Sequence, residues 1–217
     1  AIELLGITAD TPQPEGGLIA MENGVPNGQF FDNAMDLVYG AFPAPDKETL
    51  KTMIRAACSA LNARGITSVQ SDDYCVFRNV RWQGVNEAFR ELEETGELTV
   101  RVYEQANFTD TASLQEFMEA GNITGSGSDH FRMGPLKLLG DGALGARTAY
   151  LSRPYADDPA TRGISVFSQQ EFDDLISLAH AGGMQCAIHC IGDACLDMVL
   201  SSLEKALAEH PREVAEI

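Results

Sequence analysis

From residue 46 onward the chain alternates helix and strand signals without a break, and that order leaves few folds open. Asp46 is placed to cap a helix, with Thr49 three residues on. Leu50, Met53, Ile54, Ala57, Cys58 and Leu61 recur on one helical face, and Gly65 ends the run. Ile66–Gln70 reads as a strand, Val85–Glu94 as a helix stopped by Gly96, and Leu98–Tyr103 as a strand. Leu114–Ala120 is a helix, Gly125-Ser126-Gly127-Ser128 a loop, and Leu136–Leu139 a strand. Ser168 and Glu171 form a capping box for a helix that runs to Ala181. Gly182-Gly183 closes it, Gln185–His189 is a strand, and Ala194–Glu209 is the last helix.

Regular alternation of this kind means α/β architecture, a parallel sheet with helical crossovers. The strands are short and apolar on both faces, as parallel strands are when helices or a barrel interior cover them. No Gly-x-Gly-x-x-Gly follows the first strand, so a dinucleotide fold has little support. A partial (β/α)8 barrel fits better. About four strands are legible where a closed barrel has eight, which gives the expectation of a piece from the middle of a larger enzyme. The division expected is residues 1–45 as an irregular, insertion-like segment rich in turn formers, and 46–217 as the partial barrel.

With 32 acidic and 15 basic residues among 217, the formal charge is −17. Clustered Lys and Arg are what phosphate backbones and anionic membranes require, so neither is an expected partner. No apolar run approaches a membrane span. Five cysteines, an odd number in a chain this long, argue against a disulfide framework. Buried thiols in a reducing, cytoplasmic compartment are the expectation.

In parallel α/β proteins, reactive side chains sit at the carboxyl ends of strands. Two segments qualify. In Met133–Gly142, Lys137 stands among Leu136, Leu138 and Leu139. An amine held there is desolvated and freed as a nucleophile. It can form a Schiff base, or take up carbon dioxide to become a carbamate with an anionic oxygen. In Gly182–Asp193, His189 closes a strand just before Gly192-Asp193. Cys186 and Cys190 share one strand face and His189 points to the other, which argues against a Cys/His zinc cluster. Asp141, Arg147 and Asp193 lie in loops at the same end of the strands as substrate or loop candidates. Each also has a plain reading: a turn residue for Asp141, a structural ion pair for Arg147. Asp72-Asp73 reads as a helix cap or solvated loop. His130, His180 and His210 have no supporting context.

Lys137-Leu138-Leu139-Gly140-Asp141-Gly142-Ala143-Leu144-Gly145-Ala146-Arg147-Thr148-Ala149 resembles the Lys-x-x-x-Asp-Gly-x-Leu-Gly-x-Arg-Thr-Ala segment of amidohydrolase family 3. Ala187–Asp193 is similar to that family's Ala-Ile-His-x-Ile-Gly-Asp strand, and Leu5–Pro12 and Gly65–Val69 match in order. The resemblance implies a (β/α)8 barrel in which these strands are the second to the fifth. It implies Lys137 as a carboxylated lysine ligand and His189 as a histidine ligand of a divalent metal, usually zinc. It also implies hydrolysis of a non-peptide, amide-type C–N bond of a small molecule by water that the metal activates.

The family's first-strand His-x-His pair has no counterpart before residue 66, and its general-base Asp is expected outside the chain. Zinc sites take three protein ligands plus water, or four. The expectation is therefore weak metal binding and no turnover by this stretch alone, with self-association through exposed barrel surfaces. Two rival readings stay open: a regulatory or binding protein that keeps the fold without the metal, and a lyase using Lys137 as a Schiff base.

Overall fold

The computed structural model describes residues 2–76 and 79–212. In chain order the elements are α1 (Ile2–Leu5), β1 (Gly17–Glu22), β2 (Val25–Asp32), a single 3₁₀ turn (Asn33–Met35), α2 (Asp36–Tyr39) and α3 (Lys47–Asn62). There follow β3 (Ser68–Ser71), α4 (Asp73–Val76), α5 (Trp82–Glu94), β4 (Arg101–Ala106) and α6 (Thr111–Glu119). Then come β5 (Phe131–Leu139), a second 3₁₀ turn (Leu144–Ala146), α7 (Gln169–Ala181), β6 (Cys186–His189) and α8 (Asp193–Glu209). Strands β3, β4, β5 and β6 form one sheet in that order, with helices in the connections. Adjacent strands run parallel, so the carboxyl ends of all four lie along the same edge.

Backbone contacts divide the chain into two compact units. One comprises Pro43–Leu138 and Leu178–Ala187. Its helices begin where the sequence provides caps: the Asp46 carboxylate accepts the Thr49 N–H at 2.8 Å, and Asp110 accepts that of Ser113 at 2.8 Å. Leu50, Ile54 and Cys58 are the buried stripe of α3, and Val85, Ala88, Phe89 and Leu92 that of α5. Phe89 stacks on Phe131 of β5 with ring centroids 4.7 Å apart. Trp82 and Phe108 pack on Phe117 of α6 at 5.1 and 5.0 Å. Asp110→Ala removes an acceptor for the first turn of α6 and is expected to cost about 1 kcal/mol, read as a lower urea midpoint with an unchanged slope.

Strand β5 begins at Phe131, five residues before the point at which the sequence suggests it. A proline inside a strand, such as Pro135, is disfavoured, because it cannot donate to a ladder. The pairing instead shifts register there, from Glu104 opposite Met133 to Ala106 opposite Leu136. This bulge absorbs the missing donor. Gly134 is needed at the same place, since a Cβ there would lie 2.9 Å from the Glu104 carbonyl oxygen.

The other unit comprises Ala1–Phe42, Leu139–Ser177 and Ile188–Ile217. Its first segment is more regular than its turn-rich composition suggests. Strands β1 and β2 pair antiparallel through Asn23-Gly24, whose φ values of 51° and 80° are those of a two-residue hairpin turn. Ile7, Ile19 and Ala34 are buried together, with Ile2, Leu5 and Phe30 packed against them. Helix α7 starts at the capping box: Ser168 N–H donates to Glu171 Oε2 at 2.7 Å, and Glu171 N–H to Ser168 Oγ at 3.3 Å. Phe167 and Phe172 pack at 5.1 Å, and Cys195 and Val199 are the buried side of α8.

Candidate active site

Lys137 is the seventh residue of β5 and partly buried. Its carbonyl accepts a hydrogen bond from Asn107 Nδ2 at 3.0 Å. His189 is the last residue of β6, also partly buried. Its carbonyl accepts the Gly140 N–H at 2.9 Å. The two belong to different compact units. Among the described residues no three His, Cys, Asp or Glu side chains are gathered to hold a metal ion.

The three loop candidates lie in one unit, and the structure gives each a partner. Asp141 is 3% exposed, and its carboxylate accepts three backbone N–H groups. These are Ile191 to Oδ1 at 2.8 Å, Gly192 to Oδ2 at 2.7 Å and Tyr150 to Oδ2 at 2.8 Å. Arg147 is exposed and left-handed (φ 59°), and its guanidinium pairs with Asp157 at 2.9 Å. The hydrogen bond from Arg147, with its charge behind it, holds the Asp157 carboxyl below its usual range. Asp193 opens α8 and accepts from Ser152 twice, 2.8 Å from the amide and 2.6 Å from the hydroxyl. Those bonds hold its carboxyl below the ordinary value.

The specific segment after Lys137 is thus a folded loop with a physical role for most of its letters. Thr148 is buried, and its Oγ accepts the Ala143 N–H at 2.9 Å. Gly142 leaves that hydroxyl room, since a Cβ would meet it at 2.0 Å. Ala149 is fully buried, and its carbonyl accepts the Tyr155 hydroxyl at 2.9 Å.

Two acidic residues escape the sequence reading. Glu104 of β4 is fully buried: Oε1 accepts the Asp73 N–H at 2.7 Å, and Oε2 has no hydrogen-bond partner. Burial pushes its carboxyl up to about 9, with Asp73 and Asp72 adding repulsion. Burial raises Asp73 as well. The available signal was Glu104 standing between Val102 and Ala106 at strand period, an acid on a buried face. Asp32 has φ 50° and ψ −128°, a sparsely populated backbone region, and an Oδ2 without a partner. Burial raises its carboxyl against the opposing hydrogen bond with Thr148. Nothing in residues 30–33 announces that strain.

Comparison with known proteins agrees with this architecture. Residues 1–216 match Amidohydro_3, the amidohydrolase family. The putative amidohydrolase YtcJ of Bacillus subtilis (strain 168) is 31% identical over 97% of this chain and 38% of its own length. N-substituted formamide deformylase of Arthrobacter pascens is 24% identical over 94% of this chain and 38% of its own. The crystal structure of an uncharacterized metal-dependent hydrolase from Pyrococcus horikoshii OT3 superposes with a TM-score of 0.67 and 26% identity, over 94% of this chain and 38% of that one. The chain thus spans less than two fifths of the length of these relatives. It belongs to the amidohydrolase family and carries part of that family's (β/α)8 barrel.

Proposed function

We propose that this chain supplies Lys137 and His189 as two ligands of a divalent-metal centre, zinc being the best match, in an amidohydrolase acting on a non-peptide, amide-type C–N bond of a small molecule. The observation that carries the reading is the position of His189. It is a partly buried imidazole on the last residue of a parallel strand, its backbone held by Gly140. Such strand ends are where enzymes of this architecture gather their chemistry. The donor types fit: a neutral imidazole nitrogen, and an anionic oxygen from a carboxylated Lys137, are both ligands that zinc accepts. A metal held by Lys137 and His189 would supply an activated water and polarise the substrate carbonyl.

The chain's own residues orient these donors. Asn107 fixes the backbone of Lys137, and Gly140 that of His189. Two donors are fewer than the three or four of a zinc site, so these residues alone bind the ion weakly and do not turn over substrate. Leu139 and Ile191, 43% and 50% exposed, are apolar surface that favours self-association. A reducing, cytoplasmic setting suits five cysteines, an odd number in a chain this long.

The test is zinc titration in bicarbonate buffer of the chain and of its Lys137→Ala and His189→Ala variants. Loss of a second-shell partner already costs roughly 10–100-fold in metal affinity, and loss of a ligand is expected to cost at least that. Equal affinity in all three proteins contradicts the assignment. Borohydride trapping of a carbonyl compound on Lys137 would instead favour Schiff-base chemistry.

A further inference from the structure

Asp141 is held by the backbone around it. It is 3% exposed, and its carboxylate already accepts three backbone donors. Two of these, Ile191 and Gly192, are the second and third residues after His189. The preceding residue, Gly140, donates to the His189 carbonyl at 2.9 Å. The pair Gly140-Asp141 therefore grips the chain at His189 itself and immediately beyond it. The third donor, Tyr150, closes the arrangement, because its carbonyl oxygen lies where a Cβ on Gly192 would be, 1.8 Å away. Charge-assisted bonds to a buried carboxylate are among the stronger ones, and a carboxylate offers about four acceptor sites, of which three are in use.

We propose that Asp141 is a positioning residue: it anchors the turn after β6 so that the His189 imidazole is presented in one orientation. The consequence for metal binding rests on the proposed role of His189; the anchoring itself does not. Asp193 is a useful contrast. Its latch to Ser152 is exposed, sits beyond the gripped turn, and fixes the start of α8.

The experiment compares the chain with its Asp141→Asn and Ser152→Ala variants by amide hydrogen exchange and by ¹⁵N spectra of the His189 imidazole, first without metal and then during zinc titration. In Asp141→Asn the charge is lost and an NH₂ replaces one of the two acceptor oxygens, so the bonds from Ile191 to Oδ1 and from Gly192 and Tyr150 to Oδ2 are broken or weakened. Exchange at Ile191 and Gly192 is expected to rise roughly 10- to 100-fold. The His189 signals shift or broaden in the metal-free protein, and zinc affinity falls roughly 10- to 100-fold. Ser152→Ala leaves the His189 signals at their wild-type positions. Unchanged His189 signals in a folded Asp141→Asn protein whose Ile191 and Gly192 amides exchange faster overturn the proposal. If Asp141→Asn does not fold, Asp141→Glu, with charge kept and oxygens displaced by one methylene, is read the same way: a shifted His189 supports the proposal and an unshifted one overturns it. Zinc that leaves the wild-type imidazole signals untouched sinks the metal assignment, while the metal-free spectra still decide the positioning role.

Discussion

Gly192→Ala is expected to destabilise the chain by about 4 kcal/mol, a loss in the range reserved for severe steric conflict. The added Cβ would stand 1.8 Å from the Tyr150 carbonyl oxygen, 2.3 Å from its carbon and 2.6 Å from its nitrogen. All three are backbone atoms, so no side-chain rotation relieves the clash. The Tyr150 segment or the β6–α8 turn must move, and either movement breaks bonds to the Asp141 carboxylate. Gly145→Ala is the control, because a Cβ there meets nothing within 4 Å and the backbone is not left-handed. Urea unfolding should separate the two: a large fall in midpoint for Gly192→Ala, and a change within about 0.5 kcal/mol for Gly145→Ala. Equal midpoints would mean that Tyr150 does not pack on this turn.

The turn shows what the sequence could and could not reveal. The glycine, the strand before it and the helix after it are legible, because each follows from local propensity and spacing. The reason for the glycine is not, because its neighbour is 42 residues away in the chain. Asp141 is the same case: its letter and its loop are readable, but its three partners come from two other segments. The capping residues Asp46 and Ser168 were readable in full, since cap and capped amide lie three residues apart. Strand β5 began earlier than expected because a bulge, a property of the pair of strands, made Pro135 acceptable. The hairpin β1–β2 carried a strong signal in Asn23-Gly24, masked by the surrounding turn formers. Of the candidate site, the places of Lys137 in β5 and His189 at the end of β6 were legible from spacing. Glu104 offered only its strand-period place between Val102 and Ala106, because burial of an acid depends on what packs over it.

Glu104→Gln is expected to abolish a decline of stability with rising pH. The acid is fully buried, one oxygen caps the Asp73 N–H and the other has no partner. Burial, then the neighbouring Asp73 and Asp72, raise its carboxyl from an ordinary 4.5 to about 9. The sign follows from proton counting. Between those two values the folded chain holds a proton that the unfolded chain has released. The contribution of this group to stability is therefore fully present below about 4.5, and is lost as pH rises through about 9. One group titrating in this way changes stability by at most about 1.4 kcal/mol per pH unit, or about 4 kcal/mol between pH 5 and 8. Glutamine keeps an acceptor for Asp73 and cannot ionise, so the variant's profile should lose the Glu104 share of the decline over that window, and its advantage should be greatest at pH 8. Urea midpoints at pH 5, 6, 7 and 8 measure it. Parallel profiles for the two proteins would mean that Glu104 is ionised in the folded state at neutral pH.

The central claim, that Lys137 and His189 hold one ion between them, is tested most directly by anomalous diffraction at the zinc edge from crystals grown with zinc and bicarbonate. The expected result is a single strong peak about 2.0–2.1 Å from a His189 ring nitrogen and about 2.0–2.2 Å from an oxygen of a carboxylated Lys137. A peak bound elsewhere, with an unmodified Lys137 and an imidazole turned away from it, would contradict the claim.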